Sequence, residues 1–302
     1  MAAERIVWYR HPIYAWKHRV RATKKVSRST GGNIFVFLFL LIFGCFMAFP
    51  FLYAILQSFK PMNELFLFPP RFYVSNPTLD NYVMLTQQAN SLWIPFTRYL
   101  FNSAFVTVCA TVGQVFVCSM GAFVLSKGRI KGKNFIFTIV VTMLLFTGET
   151  TMIPRYVIMS WMHIIDTYLA IILPAIGAPM GLFLMKQFMQ DGIPDSLLES
   201  ARLDGASPMR IYWSVAMPIA KPVWLTMIIF AFQGIWSQEG LEFIYDESIK
   251  MLPTLFRQIS AAGIARAGVA AAAAVVLMIP PIVVFITSQS KVIDTMAYSG
   301  IK

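Results

Sequence analysis

Charged residues are scarce in this sequence. Asp, Glu, Lys and Arg together make up 13% of its 302 residues, whereas soluble domains average about 25%. Histidine and cysteine are also rare, with three of each. Because Cys45, Cys109 and Cys118 lie inside apolar runs without the spacing of a disulfide framework or a metal site, we expect small core residues and no metal site. The composition excludes a soluble globular protein.

The sequence also lacks a phosphate-binding loop. The pattern G-x-x-x-x-G-K-[ST] does not occur, and Gly132-Lys133 has neither the first glycine nor the hydroxyl residue. Such a loop supplies the backbone amides and the lysine that hold the phosphates of ATP. The chain is therefore not expected to hydrolyse ATP, and no cofactor of its own is predicted.

The sequence contains long apolar runs that have no charged residues. Hydrophobic residues make up 57% of the chain, and the mean hydropathy is +0.64. A helix needs about 20 apolar residues to cross a bilayer. Six charge-free runs are candidates: 29–59, 99–126, 134–148, 167–185, 222–238 and 267–290. Because lipid cannot satisfy the open backbone groups of a sheet, the sequence predicts an all-α membrane protein with six transmembrane helices.

Positive charge is divided unevenly between the two sides that these spans define. Residues 1–32, the loops 127–133 and 186–221, and the C-terminal tail hold eighteen of the 25 Lys and Arg. With the acids included, that side carries a net charge of about +12 and the other side about −1. The positive-inside rule predicts that both termini and the 186–221 loop are cytoplasmic. The overall charge of +11 is therefore an orientation signal, and no nucleic-acid partner is predicted.

The domain boundaries follow from the spans. We predict a basic cytoplasmic segment (1–32), a six-helix transmembrane domain (33–290) and a cytoplasmic tail (291–302). The first apolar run is too long for a signal-peptide core and has no small-residue cleavage site after it, so we expect a permanent span and a chain that starts where it is written. The aromatic residues of the basic segment also fit an interfacial amphipathic helix.

The loop between the fourth and fifth spans, residues 187–221, is the most informative segment. It predicts a helix, a turn and a second helix. Ser196 and Glu199 have the spacing of a capping box, Gly205 stands where a left-handed residue ends a helix, and Ser207 followed by proline is typical of a helix start. A DNA-binding helix-turn-helix is a formal alternative, which the acidic residues and the two flanking spans disfavour.

The first of these two helices is amphipathic. Leu197, Leu198 and Ala201 fall on one face, whereas Glu199 and Asp204 point elsewhere. A helix of about two turns is only marginally stable in water. We therefore expect its apolar face to be buried against a partner surface.

The same loop carries a family signature. Glu199-Ser-Ala-x-x-x-Gly205, nine residues and then Val215-x-Met-Pro218 resemble the E-A-A-x3-G-x9-I-x-L-P pattern of the membrane subunits of binding-protein-dependent ABC importers. Ser200, Val215 and Met217 depart from the pattern but are similar to its residues in size and polarity. The flanking residues are similar to the carbohydrate-uptake branch, the maltose-type second permease.

The resemblance implies a fold and a set of partners. The fold is that of a type I ABC importer permease with six transmembrane helices and a cytoplasmic coupling helix in a bacterial cell membrane. The partners are a second permease, an ATPase dimer that binds ATP and Mg²⁺, an extracellular (lipo)protein receptor and an oligosaccharide. Residues 195–210 are implied to dock on the ATPase. The residues assigned to this coupling are Leu197, Leu198, Glu199, Ala201, Asp204, Gly205 and Pro218.

The resemblance covers most of the chain, including residues 77–82, 164–170 and 292–302. The last of these segments is similar to permeases that work with lipoprotein receptors for complex oligosaccharides. One departure concerns the substrate. Trp236-Ser-Gln-Glu-Gly240 replaces the Trp-Asn-Glu-Phe run of the branch, so the substrate contacts do not carry over from the resemblance.

Polar residues inside or beside the spans are candidates for the substrate path. A sugar is held by aromatic faces and by side-chain amides that donate and accept hydrogen bonds. Gln233, Trp236 and Asn102 are of suitable types, as are Gln238 and Trp161. Each of them also suits helix packing or an aromatic belt at the membrane edge.

Glu149 is the one acidic residue that could lie inside a span, where a charge costs about 2.5–3.5 kcal/mol on insertion scales. One interpretation gives it a role in the substrate path with Thr147, Thr150 and Thr151. The other ends the third span near Thr147 and puts Glu149 at the outer interface. Arg155 follows closely, which favours the interface.

Two further classes of function compete with an ABC permease. An ion-coupled secondary transporter would need several ionisable residues at the midplane or an inverted repeat, and the sequence shows neither. A membrane enzyme would need clustered His, Asp or Cys at one membrane face, where the sequence offers only Asp191, Asp195, Glu199 and Asp204. The prediction is an oligosaccharide permease, and the alternative is an ion-coupled transporter.

Overall fold

A computed structural model describes residues 30–67, 69, 71–91 and 94–299, without the side chains of residues 30, 88–91 and 290–299. The predictions for residues 1–29, including the basic segment, and for residues 300–302 lie outside the described residues. Within the described part of the chain, every regular element is a helix. The predicted all-α class is confirmed.

The helices vary from single turns to more than 30 residues. In chain order they are α1 (Thr30–Ser58), α2 (Met62–Leu65), α3 (Asp80–Ser91), α4 (Phe96–Lys127), α5 (Lys133–Met143), α6 (Gly148–Trp161), α7 (Leu169–Ile176), α8 (Pro179–Gly192), α9 (Asp195–Leu203), α10 (Pro208–Ile211), α11 (Met217–Ile219), α12 (Lys221–Trp236), α13 (Leu252–Ala261) and α14 (Ala267–Ser299). A π-helical turn, Tyr212–Ala216, joins α10 to α11, and 3-10 turns at Glu247–Ile249 and Ile264–Arg266 flank α13.

Four helical segments of the described chain are long and apolar enough to cross a membrane: Gly31–Ser58, Phe96–Lys127, Leu169–Gly192 and Ile264–Gln289. Two bent pairs raise the number to six if each pair is one span. Helices α5 and α6 meet at 112°, and the segment Pro208–Ile219 meets α12 at 78°. The six predicted spans therefore correspond to four long helices and two bent pairs.

The third predicted span, residues 134–148, is interrupted by a bend in the structure. Helix α5 ends at Met143 and α6 begins at Gly148. Thr147 is the extended residue before α6, its hydroxyl lies 3.0 Å from that of Thr150, and Glu149 occupies the first turn, where the helix dipole favours an acid. A new helix therefore starts inside the apolar run, which hydropathy alone cannot reveal.

The chain divides into two compact units, residues 1–52 and 53–302. In the first unit, the described part of α1 exposes nearly all of its side chains, and Phe35, Phe39 and Phe43 contact one another in series. Cys45 is exposed here, so the prediction that it is a core residue is wrong, whereas Cys118 is buried. An apolar run signals contact with lipid as readily as burial in protein.

Helix α4 is the centre of the second unit. It is 32 residues long, about 48 Å, and packs against α7, α8 and α12. Near its start, the fully buried Asn102 side chain donates to the carbonyl oxygens of Ser248 and Lys250, each at 2.9 Å, and accepts from the Tyr168 hydroxyl at 2.7 Å. These bonds fix the segment before α13 to α4.

Small residues allow α14 to approach its neighbours. Ala272 and Ala273 are buried together with Trp236 and residues of α13. A Cβ on Gly268 would lie 2.5 Å from Oδ1 of Asn81. The Nδ2 group of Asn81 donates to the carbonyl oxygens of Ser58 and Lys60, so this side chain is held in place. The small residues of the last span therefore permit close helix packing.

We expect replacement of Asn102 by alanine to destabilise the fold. It removes three hydrogen bonds and leaves two carbonyl groups and a phenol without partners, which costs roughly 3 kcal/mol and lowers the unfolding midpoint by several degrees. Thermal unfolding in detergent measures the change. The exposed Asn63 of α2 provides the control, and equal midpoints for Asn102→Ala and Asn63→Ala would contradict this account.

Candidate coupling surface and substrate path

The candidate coupling segment, residues 195–210, folds as the predicted helix, turn and helix. Its start differs from the prediction. Helix α9 begins at Asp195 after the extended residue Pro194, so Ser196 lies inside the first turn and its predicted capping box with Glu199 is wrong. Proline fixes its own φ and favours a helix start immediately after it, where the Asp195 carboxylate meets the positive end of the helix.

The turn after α9 follows the prediction. Gly205 has a left-handed φ of +79°, and its N–H donates to the carbonyl of Arg202 at 3.0 Å. The Ala206 N–H donates to the carbonyl of Ala201 at 3.0 Å, and the Ser207 hydroxyl accepts from the Arg210 N–H at 3.3 Å. Apart from its two chain neighbours, no described residue has an atom within 4 Å of a Cβ built on Gly205, so any cost of substitution there comes from the backbone conformation.

The predicted apolar face of α9 is divided between two environments. Leu198 is 2% exposed and packs in the core of the chain with residues of α8 and α10, and Ala201 lies half-buried against the same core. Leu197 is 44% exposed and Leu203 is 89% exposed. Leu198 therefore anchors the helix, which leaves Leu197 and Leu203 for a partner surface.

Sequence reasoning missed Leu203 and Met209, both exposed large apolar residues. Leu203 lies between two charged residues in the sequence and faces away from Leu198 on the helix. Only the burial of Leu198 shows which face is outward. Glu199, Asp204 and Pro218 are also exposed, as are Arg202 and Arg210, so charged side chains of both signs accompany the apolar ones.

An ion pair ties the start of α9 to the end of α4. Lys127 Nζ donates to Oδ1 of Asp195 at 2.7 Å and to the carbonyl of Gln190 at 3.1 Å. The hydrogen bond from Lys127 holds the pKa of the Asp195 carboxyl below its usual value. Because the folded pKa is lowered, the pair contributes its stability above the unfolded pKa of about 3.9 and loses it as the pH falls through the lowered pKa.

The segment that follows the candidate coupling segment is also fixed to α4. The hydroxyls of Ser119 and Tyr212 are 2.6 Å apart and buried, and the Tyr212 ring contacts Phe123. Tyr212 begins the π-helical turn, an element frequently found at functional positions. Further along, the Trp224 indole donates to the carbonyl of Met217 at 3.2 Å. Helix α4 thus holds both flanks of the candidate coupling segment.

The four candidates for the substrate path fall into two groups. Trp236 is buried, donates from its indole to the carbonyl of Leu277 at 2.9 Å and stacks on Phe232, while Asn102 makes the three bonds described above. Both are engaged inside the chain. Gln233 on α12 and Glu149 in the first turn of α6 are exposed and open to a ligand or a partner.

The segment between α12 and α13 has an ordered polar centre that the sequence did not predict. Glu247 accepts hydrogen bonds from Lys250 at 2.5 Å, the Tyr99 hydroxyl at 2.7 Å and the Gln258 amide at 3.2 Å. Burial acts to raise the pKa of Glu247, but these bonds outweigh it and hold the pKa below its usual value. The carboxylate remains charged at neutral pH and fastens this segment to α4.

The fold defines a multi-pass helical membrane protein in which the candidate coupling segment, residues 195–210, forms a short helical hairpin between α8 and α12. Residues 133–295 match the family model described as the binding-protein-dependent transport system inner membrane component. The chain belongs to this family, as its signature predicted. Relatives in it are transport permeases and not enzymes.

Individual relatives agree with this assignment. The chain is 35% identical over 230 residues, 74% of each chain, to Protein LplC of Bacillus subtilis (strain 168). It is 32% identical over 195 residues, 63% of this chain and 67% of the relative, to the arabinooligosaccharides transport system permease protein AraQ of Halalkalibacterium halodurans.

A solved structure shares the fold. A chain from the crystal structure of a bacterial ABC transporter involved in the import of the acidic polysaccharide alginate superimposes with a TM-score of 0.74 at 22% identity. The match covers 87% of this chain and 98% of the other. The predicted ABC importer permease fold is confirmed.

Removal of the ion pair should loosen α9 locally. In Asp195→Asn, Lys127 loses its charged partner, and we expect faster amide hydrogen exchange in residues 195–203 than in the unaltered protein at neutral pH. Asp204→Asn is the matched control. Asp204 ends the same helix, where an acid opposes the helix dipole, so its replacement should not make exchange faster. Equal exchange rates in Asp195→Asn and the unaltered protein would show that the pair does not fix α9.

Proposed function

We propose that this chain is a permease subunit of an ATP-driven importer for oligosaccharides. It forms the translocation path with a second permease and couples to an ATPase dimer through residues 195–210. The observation that carries the proposal is that the helical hairpin of residues 195–210 is exposed and presents Leu203 outward. This hairpin contains the first part of the family signature, Glu199 to Gly205. The names of several relatives, which include arabinooligosaccharide and galactooligosaccharide transport permeases, support the substrate class.

The chemistry of the hairpin suits a protein partner. Leu197, Leu203 and Met209 offer apolar surface, and Glu199 and Asp204 offer carboxylates beside it. Burial of apolar surface contributes about 25 cal/mol for each Å² removed from water. A partner cleft with an apolar floor and a basic group opposite Glu199 would satisfy both features, and Glu199 is the proposed polar contact.

Coupling requires that force on the hairpin reach the spans. The ion pair of Lys127 with Asp195 and the hydroxyl pair of Ser119 with Tyr212 join both flanks of the hairpin to α4. Movement of the docked hairpin would therefore move α4 with it. A rigid displacement of this kind is sufficient to alternate access between the two sides of the membrane.

The sequence indicates which tasks fall to other subunits and on which side of the membrane each segment lies. Because the chain has no phosphate-binding loop, ATP and Mg²⁺ are assigned to the separate ATPase. The positive-inside rule assigns the hairpin and the chain termini to the cytoplasm and the segment between α12 and α13 to the outside, where a sugar-binding receptor would dock. The names of the relatives give no support to the ion-coupled alternative.

We expect Leu203→Glu to prevent stable association with the ATPase, because it puts a charge at the most exposed apolar position of the hairpin without disturbing the core. Co-purification of the ATPase from mild detergent measures the effect. Leu79→Glu is the control, since Leu79 is 63% exposed and lies at the start of α3, outside the hairpin. Undiminished recovery of the ATPase with Leu203→Glu would contradict the docking surface.

ATP-driven uptake into proteoliposomes tests coupling itself. Glu199→Ala removes the proposed polar contact, and Gly205→Val strains the left-handed turn by about 1–2 kcal/mol or more. We expect each substitution to reduce uptake of an oligosaccharide mixture at least tenfold while the subunit still inserts into the membrane. Normal uptake in both variants would refute coupling through this hairpin.

A further inference from the structure

A groove lies between α4, α7, α8 and α12. Its volume is about 340 Å³, within the range of small-molecule sites. The walls are apolar, with Met180, Leu184, Met227 and Phe230 among them, and none of the described residues that line the groove carries a charge. Two side-chain amides, those of Gln114 and Gln238, supply its polarity.

The Gln114 amide lacks a partner among the described residues. The residue is 8% exposed and is one of those that line the groove. A Cβ on Gly181 would lie 3.0 Å from its Nε2, so the glycine leaves room for the amide. The Gln114 amide is not one of the fully enclosed polar groups without a partner, so it is accessible and free to hydrogen-bond a ligand or water in the groove. The half-buried Gln238 side chain, which also lines the groove, makes no hydrogen bond to another described residue either.

An independent feature of the backbone points to the same place. The apolar segment Leu169–Gly192 is interrupted between α7 and α8, and Ala178, at the interruption, lines the groove. Irregular backbone at membrane depth occurs where it is buried in protein or lines a water-filled cavity. The carbonyl of Ala178 accepts from the Leu182 N–H at 3.3 Å and from the Cys118 thiol at 3.6 Å. The break between the two helices therefore brings backbone, and not only apolar side chains, to the wall of the groove.

We propose that this groove is a subsite for one uncharged sugar ring of the transported oligosaccharide, a proposal that rests on the function proposed above. Each sugar hydroxyl both donates and accepts, and the two amides offer both capacities. Phe230 and the methionines present apolar surface to the C–H face of the ring. A uronic acid would bring a carboxylate into a groove whose described lining has no cation to pair with it.

Three variants test the subsite in the whole transporter, reconstituted with its receptor, second permease and ATPase. Gln114→Leu and Gln238→Leu remove one amide each at similar volume. Gly234→Leu fills the groove, since a Cβ there meets no atom within 4 Å and the glycine is part of the lining. Gly44→Leu is the matched control, because Gly44 is equally open, is helical and does not line the groove.

The probes are arabinotriose, galactotriose and trigalacturonate, each followed as ATP-driven uptake below saturation. For the neutral trisaccharide that the unaltered transporter carries, we expect about a tenfold loss with either glutamine variant and a larger loss with Gly234→Leu. Uptake with Gly44→Leu should match the unaltered protein. Basal ATP hydrolysis should be unchanged in Gly44→Leu, and co-purification of the second permease should be unchanged in all four variants.

Several results would overturn the proposal. Undiminished uptake in the three groove variants would mean that no sugar occupies the groove, as would be the case if lipid fills it. Loss of the second permease on purification would assign the groove to the contact between the two permeases. Uptake of trigalacturonate alone would contradict an uncharged ring. If the unaltered transporter carries no trisaccharide at all, the proposed function itself fails and the subsite falls with it.

Discussion

The structure depends on the polar side chains buried along α4. In an apolar environment a polar group must find a hydrogen-bond partner, and the partners here lie in segments distant in sequence. Asn102 binds backbone carbonyls of the segment before α13, and Ser119 binds the hydroxyl of Tyr212 beside the candidate coupling segment. Lys127 adds an ion pair at the end of the helix. One helix therefore connects the two ends of the second unit.

This arrangement gives a physical basis for the family assignment. The function proposed above requires that events on both sides of a membrane be joined, and a single 32-residue helix that is fixed at both ends can do so. A helix that is held at both ends by specific bonds moves as a rigid body together with the segments it is bonded to. A loosely packed connection would deform and would not transmit the movement. The groove beside Gln114 adjoins the same helix, so movement of α4 would also change the shape of the proposed sugar subsite.

The sequence predicted features that depend on local geometry. Gly205 and Ser207 were identified because a left-handed turn and a helix cap constrain residue type within a few positions. Features that depend on tertiary contacts were not predicted. The burial of Leu198, the exposure of Cys45 and the open amide of Gln114 are set by which neighbour faces each side chain, and an apolar run looks the same against lipid and against protein. The bend before α6 was not predicted either, because the hydropathy of an apolar run does not show where a helix ends and the chain changes direction.

The central claim is that the candidate coupling segment and α4 move as one body. Spin labels at the exposed positions Ser200 and Val124, introduced as cysteines after the native cysteines are replaced, report the distance between α9 and α4 by pulsed electron resonance. In the assembled transporter, this account predicts the same distance, within about 2 Å, with and without bound ATP. A change of about 5 Å, one helical turn, would show that the segment slides along α4 and would contradict the account.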